Sequence, residues 1–173
     1  MKLRFDYFNF ERIDMPLNIV LIEPEIPNNT GNIGRLSLAS GSRLHLVKPF
    51  GFELSDSRVK RAGLDYWQHI DLIIYESVND FFEQNKNQKM VFFSSHGKQD
   101  FWKIPYEDEL FLIFGKESIG LSPELIEKYQ EQVYKIPIYS DKVRSLNLAN
   151  AVAIVTYEGV RNIAKLGGGN RCV

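Results

Sequence analysis

Short apolar runs alternate with helical patterns along most of this chain, and that alternation limits the fold more than any other feature. The runs cover residues 17–22, 43–47, 72–75, 90–94, 110–114 and 133–138, and are rich in Val, Ile, Leu and Phe. Their length and composition are those of buried strands. Helical patterns follow, with starts expected near Thr30, Ser55, Ser77, Ser122 and Leu146. Ser77 stands three residues before Asp80, and Ser122-Pro123-Glu124 sets a capping hydroxyl, a first-turn proline and an acid in favourable order. At the first helix, Asn29 or Thr30 is the expected cap. Strand then helix, repeated, predicts an α/β fold with a mostly parallel sheet and helices on both faces.

A length of 173 residues suits one domain with a sizeable core. Residues 1–14 read as an N-terminal extension before Met15-Pro16, residues 15–165 as the domain, and 166–173, which include Gly167-Gly168-Gly169, as a flexible tail. No apolar run approaches the ~20 residues of a membrane helix. The first residues carry no charged-then-apolar leader pattern. The single cysteine, Cys172, leaves no internal disulfide and suits a reducing cytoplasm. The histidines, His45, His69 and His96, lack the spacing of metal ligands, so no metal is expected. Net charge is −1, so any nucleic-acid site must be a local patch. The candidate is Arg58-Val59-Lys60-Arg61, with Arg43 and Lys48 upstream; a solvated helix face is the alternative.

Three loops share a character. The first, Asn28-Asn29-Thr30-Gly31-Asn32-Ile33-Gly34-Arg35, follows the first strand without the G-x-G-x-x-G spacing of a dinucleotide site. With a helix starting near Thr30, Arg35 falls in the first turn, where the helix dipole disfavours a cation. That placement asks for an anionic partner: a phosphate, a carboxylate ligand, or a structural Glu23 or Glu25. The second loop, Gly115-Lys116-Glu117-Ser118-Ile119-Gly120, brackets a glutamate between two glycines at the end of an apolar strand, where ligands of parallel sheets bind. The third, Arg144-Ser145-Leu146-Asn147-Leu148-Ala149-Asn150, opens into a helix of small apolar residues that is expected to be buried on more than one side, with Asn147 and Asn150 partnered at its head.

Taken in order, NTGNIGR, FGKESIGL and RSLNLANAVAIVTYE resemble the three signature motifs of SPOUT-class RNA 2′-O-ribose methyltransferases. EPEIPNNTGNIGR, RLHLVKPFGF and RVKRAGLDYW narrow the resemblance, over residues 17–163, to the small single-domain tRNA (cytidine(34)-2′-O)-methyltransferases. The chain departs from that pattern at Gly34, where a larger apolar residue is expected, at Lys116 in place of a proline, and in a longer segment before Arg144.

The resemblance implies a C-terminal trefoil knot, which the general rules of chain topology do not suggest. It implies S-adenosylmethionine as cofactor, with S-adenosylhomocysteine as product, lined by Phe93, Gly115, Glu117, Gly120, Ile136, Ser145 and Leu146. Glu117 is read as organising its loop. Arg35, Ser145 and Asn147 are the implied catalytic set, and Asn32, Arg35, Arg58, Arg61 and Tyr157 the implied tRNA contacts, with Tyr157 in a dimer or in the core. Tyr66 and Trp67 either stack on an anticodon-loop base or pack beside the sheet. The implied partners are the tRNA anticodon stem-loop and a second copy of the chain, in the cytoplasm. Rival readings are a methyltransferase acting on ribosomal RNA or another tRNA position, an inactive knotted RNA-binding module, and a nucleotide-dependent oxidoreductase. The last is disfavoured because the second strand ends in Lys48-Pro49 and not in an acid.

Overall fold

The computed structural model describes residues 17–53 and 66–166. The extension 1–14, the helix expected near Ser55, the basic run Arg58, Lys60 and Arg61, and Cys172 lie outside the described residues. Seven strands form one sheet: β1 (Asn18–Ile22), β2 (Arg43–Val47), β3 (Leu72–Tyr75), β4 (Met90–Phe93), β5 (Gln99–Asp100), β6 (Phe111–Phe114) and β7 (Val133–Lys135). Their order is β3-β2-β1-β6-β4-β7-β5, and every pairing is parallel. The helices are α1 (Pro27–Ser40), α2 (Val78–Gln84), α3 (Pro123–Lys128) and α4 (Leu148–Leu166).

Strand alternation sorts side chains onto two faces. Ile19, Leu21, Leu44, Leu46, Leu112 and Phe114 meet Ile33 of α1 and Val152 and Val155 of α4. Val20, Ile22, Val47, Phe92 and Ile113 meet Phe81 of α2, with Leu125 and Ile126 of α3 packed against them. Helices therefore cover both faces, as the alternation predicted. Each fully buried Leu, Ile or Phe contributes roughly 1.5–3 kcal/mol of transfer free energy.

Two helices start where the sequence signals place them. The Ser77 hydroxyl accepts from the Asp80 N–H, and the Ser122 hydroxyl from the Leu125 N–H. The first helix does not. It begins at Pro27, and neither Asn29 nor Thr30 caps it. It ends in a left-handed Gly41 (φ 68°), whose N–H and that of Ser42 satisfy the Leu38 and Ser37 carbonyls. Strand β7 is shorter than the expected 133–138. Pro137 has no N–H to give a ladder, and the chain leaves the sheet after Lys135. The two-residue β5 carries no apolar signal and was not expected.

Strand order matters at β7. The chain passes from β4 to β5 through residues 94–98, yet β7 lies between those strands. The close passage is visible at Gly97, where a Cβ would sit 2.5 Å from the Tyr134 carbonyl carbon. Only glycine fits there.

On the α2/α3 face a polar chain runs from the exposed Glu109 through the buried Asn18, His45 and Tyr75. The Asn18 amide donates to the Glu109 carbonyl (3.0 Å), and its Oδ1 is 2.9 Å from His45 Nε2. His45 Nδ1 is 3.0 Å from the Tyr75 hydroxyl, which accepts from the Asn85 amide. Burial depresses the His45 pKa to about 4, helped by the nearby Arg43 charge. The ring is a neutral structural member, not a ligand.

Candidate active site

The carboxyl ends of β4, β6 and β7 open at Phe93, Phe114 and Tyr134 onto a cavity of about 650 Å³. Its walls come from residues 94–96, 115–120 and 136–148. The 115–120 loop folds back on itself: a Cβ on Gly115 would lie 2.1 Å from the Gly120 carbonyl carbon, and the Gly120 N–H donates to the Lys116 carbonyl (2.8 Å). Gly120 has φ 76°, a left-handed conformation. The two glycines thus serve different needs, one close approach and the other backbone hand.

The acid between them does not point at the cavity centre. Glu117 accepts from the Glu25 N–H (2.8 Å), the Ile26 N–H (3.2 Å) and the Asn29 amide (3.0 Å). It satisfies N–H groups at the head of α1, a capping role supplied from ninety residues away. Glu25 answers in kind. Its carboxylate accepts from the Ser118 hydroxyl and N–H, both at 2.9 Å, and these bonds hold its pKa below the usual carboxylate range. Lys116 pairs with Glu23 at 2.6 Å, a bond that raises the lysine pKa. Glu23 itself is left-handed (φ 50°), which costs on the order of 1 kcal/mol for a residue with a Cβ. The lysine that departs from the family pattern therefore ties the loop to the end of β1.

Asn29 joins the first loop to the third. Its Oδ1 accepts from the Asn147 amide (3.0 Å). The Asn147 Oδ1 in turn accepts from the N–H groups of Ala149 (2.9 Å) and Asn150 (3.4 Å), capping α4. Asn147 and Asn150 are exposed, contrary to the burial expected of them, but Asn147 is bonded through both its amide nitrogen and its oxygen.

Against the other side of Asn29 and Asn147 lies a second, shallower cavity of about 360 Å³. Asn32, Arg35, Leu36 and Asn150 also line it. Arg35 is not in the first turn, because α1 starts at Pro27; it is exposed in the third, so the dipole argument for an anionic partner does not apply. Glu23 and Glu25 are engaged elsewhere, and among the described residues no carboxylate lies within ion-pair distance of Arg35. Its guanidinium meets Tyr66: Nη2 donates to the hydroxyl (3.3 Å), and Cζ lies 4.8 Å from the ring centroid. Trp67 lies against Gly34, where an added Cβ would meet its ring at 2.9 Å and Ile70 at 2.8 Å. The indole occupies the space that a larger residue at 34 would need.

All seven residues expected around the cofactor (Phe93, Gly115, Glu117, Gly120, Ile136, Ser145 and Leu146) line the larger cavity, and Asn147 borders both. Asn32 and Arg35 share the smaller one. Tyr157 lines neither; it is 51% exposed on α4, not a core residue, and with Asn150, Ile154 and Arg161 forms an open stripe along a helix expected to be buried more fully. Arg43 and Lys48 do not extend a free basic patch. Arg43 pairs with Asp71 (2.8 Å) and lies near Glu109 (3.7 Å), and Lys48 pairs with Glu76 (2.7 Å). Sequence reasoning missed Asn29 as the junction; the Asn28-Asn29 doublet was the available signal. It also missed His96 and Arg144, which line the cavity wall. Among the described residues no group of three or more His, Cys, Asp or Glu is placed to hold a metal ion.

The chain matches the model of the SpoU rRNA methylase family over residues 16–157. It is 40% identical over 148 residues to the tRNA (cytidine(34)-2′-O)-methyltransferase of Escherichia coli strain K12, an alignment covering 85% of this chain and 94% of that one. A solved structure described in terms of 2-OH methylation of C/U34 on tRNA superposes with a TM-score of 0.82 at 40% identity, covering 90% of this chain and 99% of the other. An AdoMet-bound rRNA methyltransferase from Sinorhizobium meliloti superposes with a TM-score of 0.77 at 25% identity, covering 85% of this chain and 56% of its own. On sequence, fold and the placement of its three loops, this chain belongs to the SpoU rRNA methylase family.

Proposed function

We propose that this chain is an S-adenosylmethionine-dependent 2′-O-methyltransferase of the wobble nucleotide, position 34, in tRNA. One observation carries the reading: a large cavity built by the three family loops adjoins a groove holding Arg35, and the two share Asn29 and Asn147. A donor in one and a ribose in the other would meet at that boundary.

The larger cavity suits the cofactor. Its volume falls in the range of cofactor sites, roughly 300–1,000 Å³. Phe93, Phe114, Ile136 and Leu146 offer an apolar lining for an adenine ring, while Ser94, Ser145 and the main chain around Gly115–Gly120 offer hydrogen-bonding groups. A Cβ on Gly120 would meet nothing within 4 Å, so backbone there borders open space. When bound, S-adenosylmethionine supplies a methyl group on a sulfonium, and transfer leaves neutral S-adenosylhomocysteine.

The chain's own residues then have limited tasks. With the donor held there, the ribose 2′-oxygen would take the methyl carbon as the carbon–sulfur bond breaks, and the hydroxyl proton would pass to water. Holding the reactants in line can supply ~7–11 kcal/mol. A guanidinium holds its protons too tightly to be an easy base, so positioning is the role of Arg35. It orients the ribose or its 3′-phosphate and stabilises negative charge developing on the 2′-oxygen. Ser145 orients the reactants from the third loop, and Asn147 fixes that loop against α1. Asn32, and Arg58 and Arg61 beyond the described residues, would extend the contact to the anticodon stem-loop.

Two further elements belong to this reading. The segment after β7 is threaded beneath the 94–98 connection, giving the knot; the β4-β7-β5 order supports it. The exposure of Ile154 and Tyr157 on α4 supports a homodimer in which they would pack on a second copy of the chain. No helix among the described residues is long and apolar enough to cross a membrane, and a tRNA substrate implies a cytoplasmic enzyme.

The test is transfer of labelled methyl from S-adenosylmethionine to unmodified bulk tRNA, with nucleoside and fragment mass analysis. A 2′-O-methylated cytidine or uridine at position 34 is expected, and Arg35→Ala should lower it by about 10²–10³-fold. Methylation confined to ribosomal RNA, or none in the presence of bound cofactor, would overturn the proposal.

A further inference from the structure

Arg35 is one of two cations, with Lys128 over Phe82 and Tyr129, whose described partners are aromatic rings and not carboxylates. Arg43, Lys48, Lys89, Lys116 and Arg161 each lie against a carboxylate. Arg35 lies against a neutral phenol. We propose that Tyr66 is the positioning residue of Arg35, fixing the guanidinium over the substrate groove without neutralising it. The proposal rests on the reading of Arg35 given above.

The physical problem is specific. Arg35 is exposed on the third turn of α1, and an arginine there has a large rotamer entropy. Left free, it would sample many directions. A carboxylate partner would hold it but would cancel the charge needed for a phosphate or a developing alkoxide. A tyrosine holds it in two ways at once. The ring face attracts the cation, and the hydroxyl accepts one of its five N–H bonds. The remaining N–H groups and the full positive charge stay available to the RNA.

The backbone around Tyr66 is itself anchored. The Tyr66 carbonyl accepts from the His69 N–H (2.8 Å), and the Trp67 carbonyl from the Ile70 N–H (3.3 Å). Trp67 and Ile70 then seat this short turn on α1 at Gly34, the residue before Arg35. The absence of a side chain at 34 brings the turn close enough for the phenol to reach the guanidinium. Gly34, Trp67 and Tyr66 therefore act as one device.

The experiment measures single-turnover methyl transfer to tRNA, with cofactor binding and thermal melting alongside. Tyr66→Ala should lower the rate of transfer about 10–100-fold while cofactor affinity and melting temperature stay near wild type. Tyr66→Phe, which keeps the ring face, should recover most of that loss. In an Arg35→Lys background, where the compact ammonium cannot make both contacts, Tyr66→Ala should cost less than about threefold. Full activity of Tyr66→Ala beside an inactive Arg35→Ala would overturn this proposal alone. So would an equal cost of Tyr66→Ala in both backgrounds. An active Arg35→Ala would remove the reading of Arg35 and this proposal with it.

Discussion

Two polar regions of this molecule are built on opposite plans. On the α2/α3 face, Glu109, Asn18, His45, Tyr75 and Asn85 form a chain in which neighbour satisfies neighbour. At the carboxyl end of the sheet, Glu117, Glu25, Asn29 and Asn147 also bond one another, but they do so behind the cavity. Their bonds hold three loops in register, while Arg35, Arg144 and Ser145 remain exposed in front. The first region spends all its hydrogen-bonding capacity on the fold. The second spends only its rear half. That difference marks the functional end more clearly than charge does, since most described ion pairs lie elsewhere.

The largest test of the contrast is Arg35→Ala. Removing this exposed group should lower methyl transfer by about 10²–10³-fold, as loss of a charge-stabilising donor does, with stability changed by less than ~0.5 kcal/mol. Activity assays beside chemical denaturation check both halves. The closed region should answer oppositely, in stability and not in activity. His45 has a folded pKa of about 4, below the unfolded value near 6.5. Between those values the unfolded state binds the extra proton, so stability falls as pH drops through this window and rises again toward neutrality. The full contribution is about 3 kcal/mol, complete above about pH 6.5. Denaturation midpoints followed from pH 7.5 to 4 should show it, and a His45→Gln variant should show a correspondingly flatter profile.

Glu117→Ala should affect both properties. It leaves the Glu25 and Ile26 N–H groups and the Asn29 amide without their acceptor, a loss of roughly 2–3 kcal/mol. Cofactor affinity, measured by calorimetry, should weaken as the 115–120 loop loosens. The smallest expected effect is at Gly34. Gly34→Ala drives a Cβ against Trp67 and Ile70 and should cost about 1–2 kcal/mol. Pairing it with Trp67→Leu should restore part of that loss in thermal melts.

The fold was largely legible because its signals are local and redundant. β2 and β3 end where their apolar runs end, and Ser77 and Ser122 cap the helices they precede. What the sequence hid was tertiary. The head of α1 is satisfied by Glu117, a residue that no local pattern could connect to Pro27. Misplacing that start by a turn put Arg35 in the wrong electrostatic setting. β5 escaped notice because two polar residues, Gln99 and Asp100, form it by pairing with β7 alone. The seven residues expected around the larger cavity were marked by the resemblance that recognisable motifs in the three loops carry. Asn29 was not singled out, since its importance lies in touching two of them.

The insertion of β7 between β4 and β5 also sets an order of events. Protein synthesis delivers β4, β5 and β6 first, leaving a gap in the sheet that only residues 133–135 can fill. The segment that follows, 136–147, is also the wall of the larger cavity. Cofactor capture therefore reports on completed assembly: a chain still missing its last central strand has no pocket to load, and cannot touch RNA as an enzyme before it has finished folding.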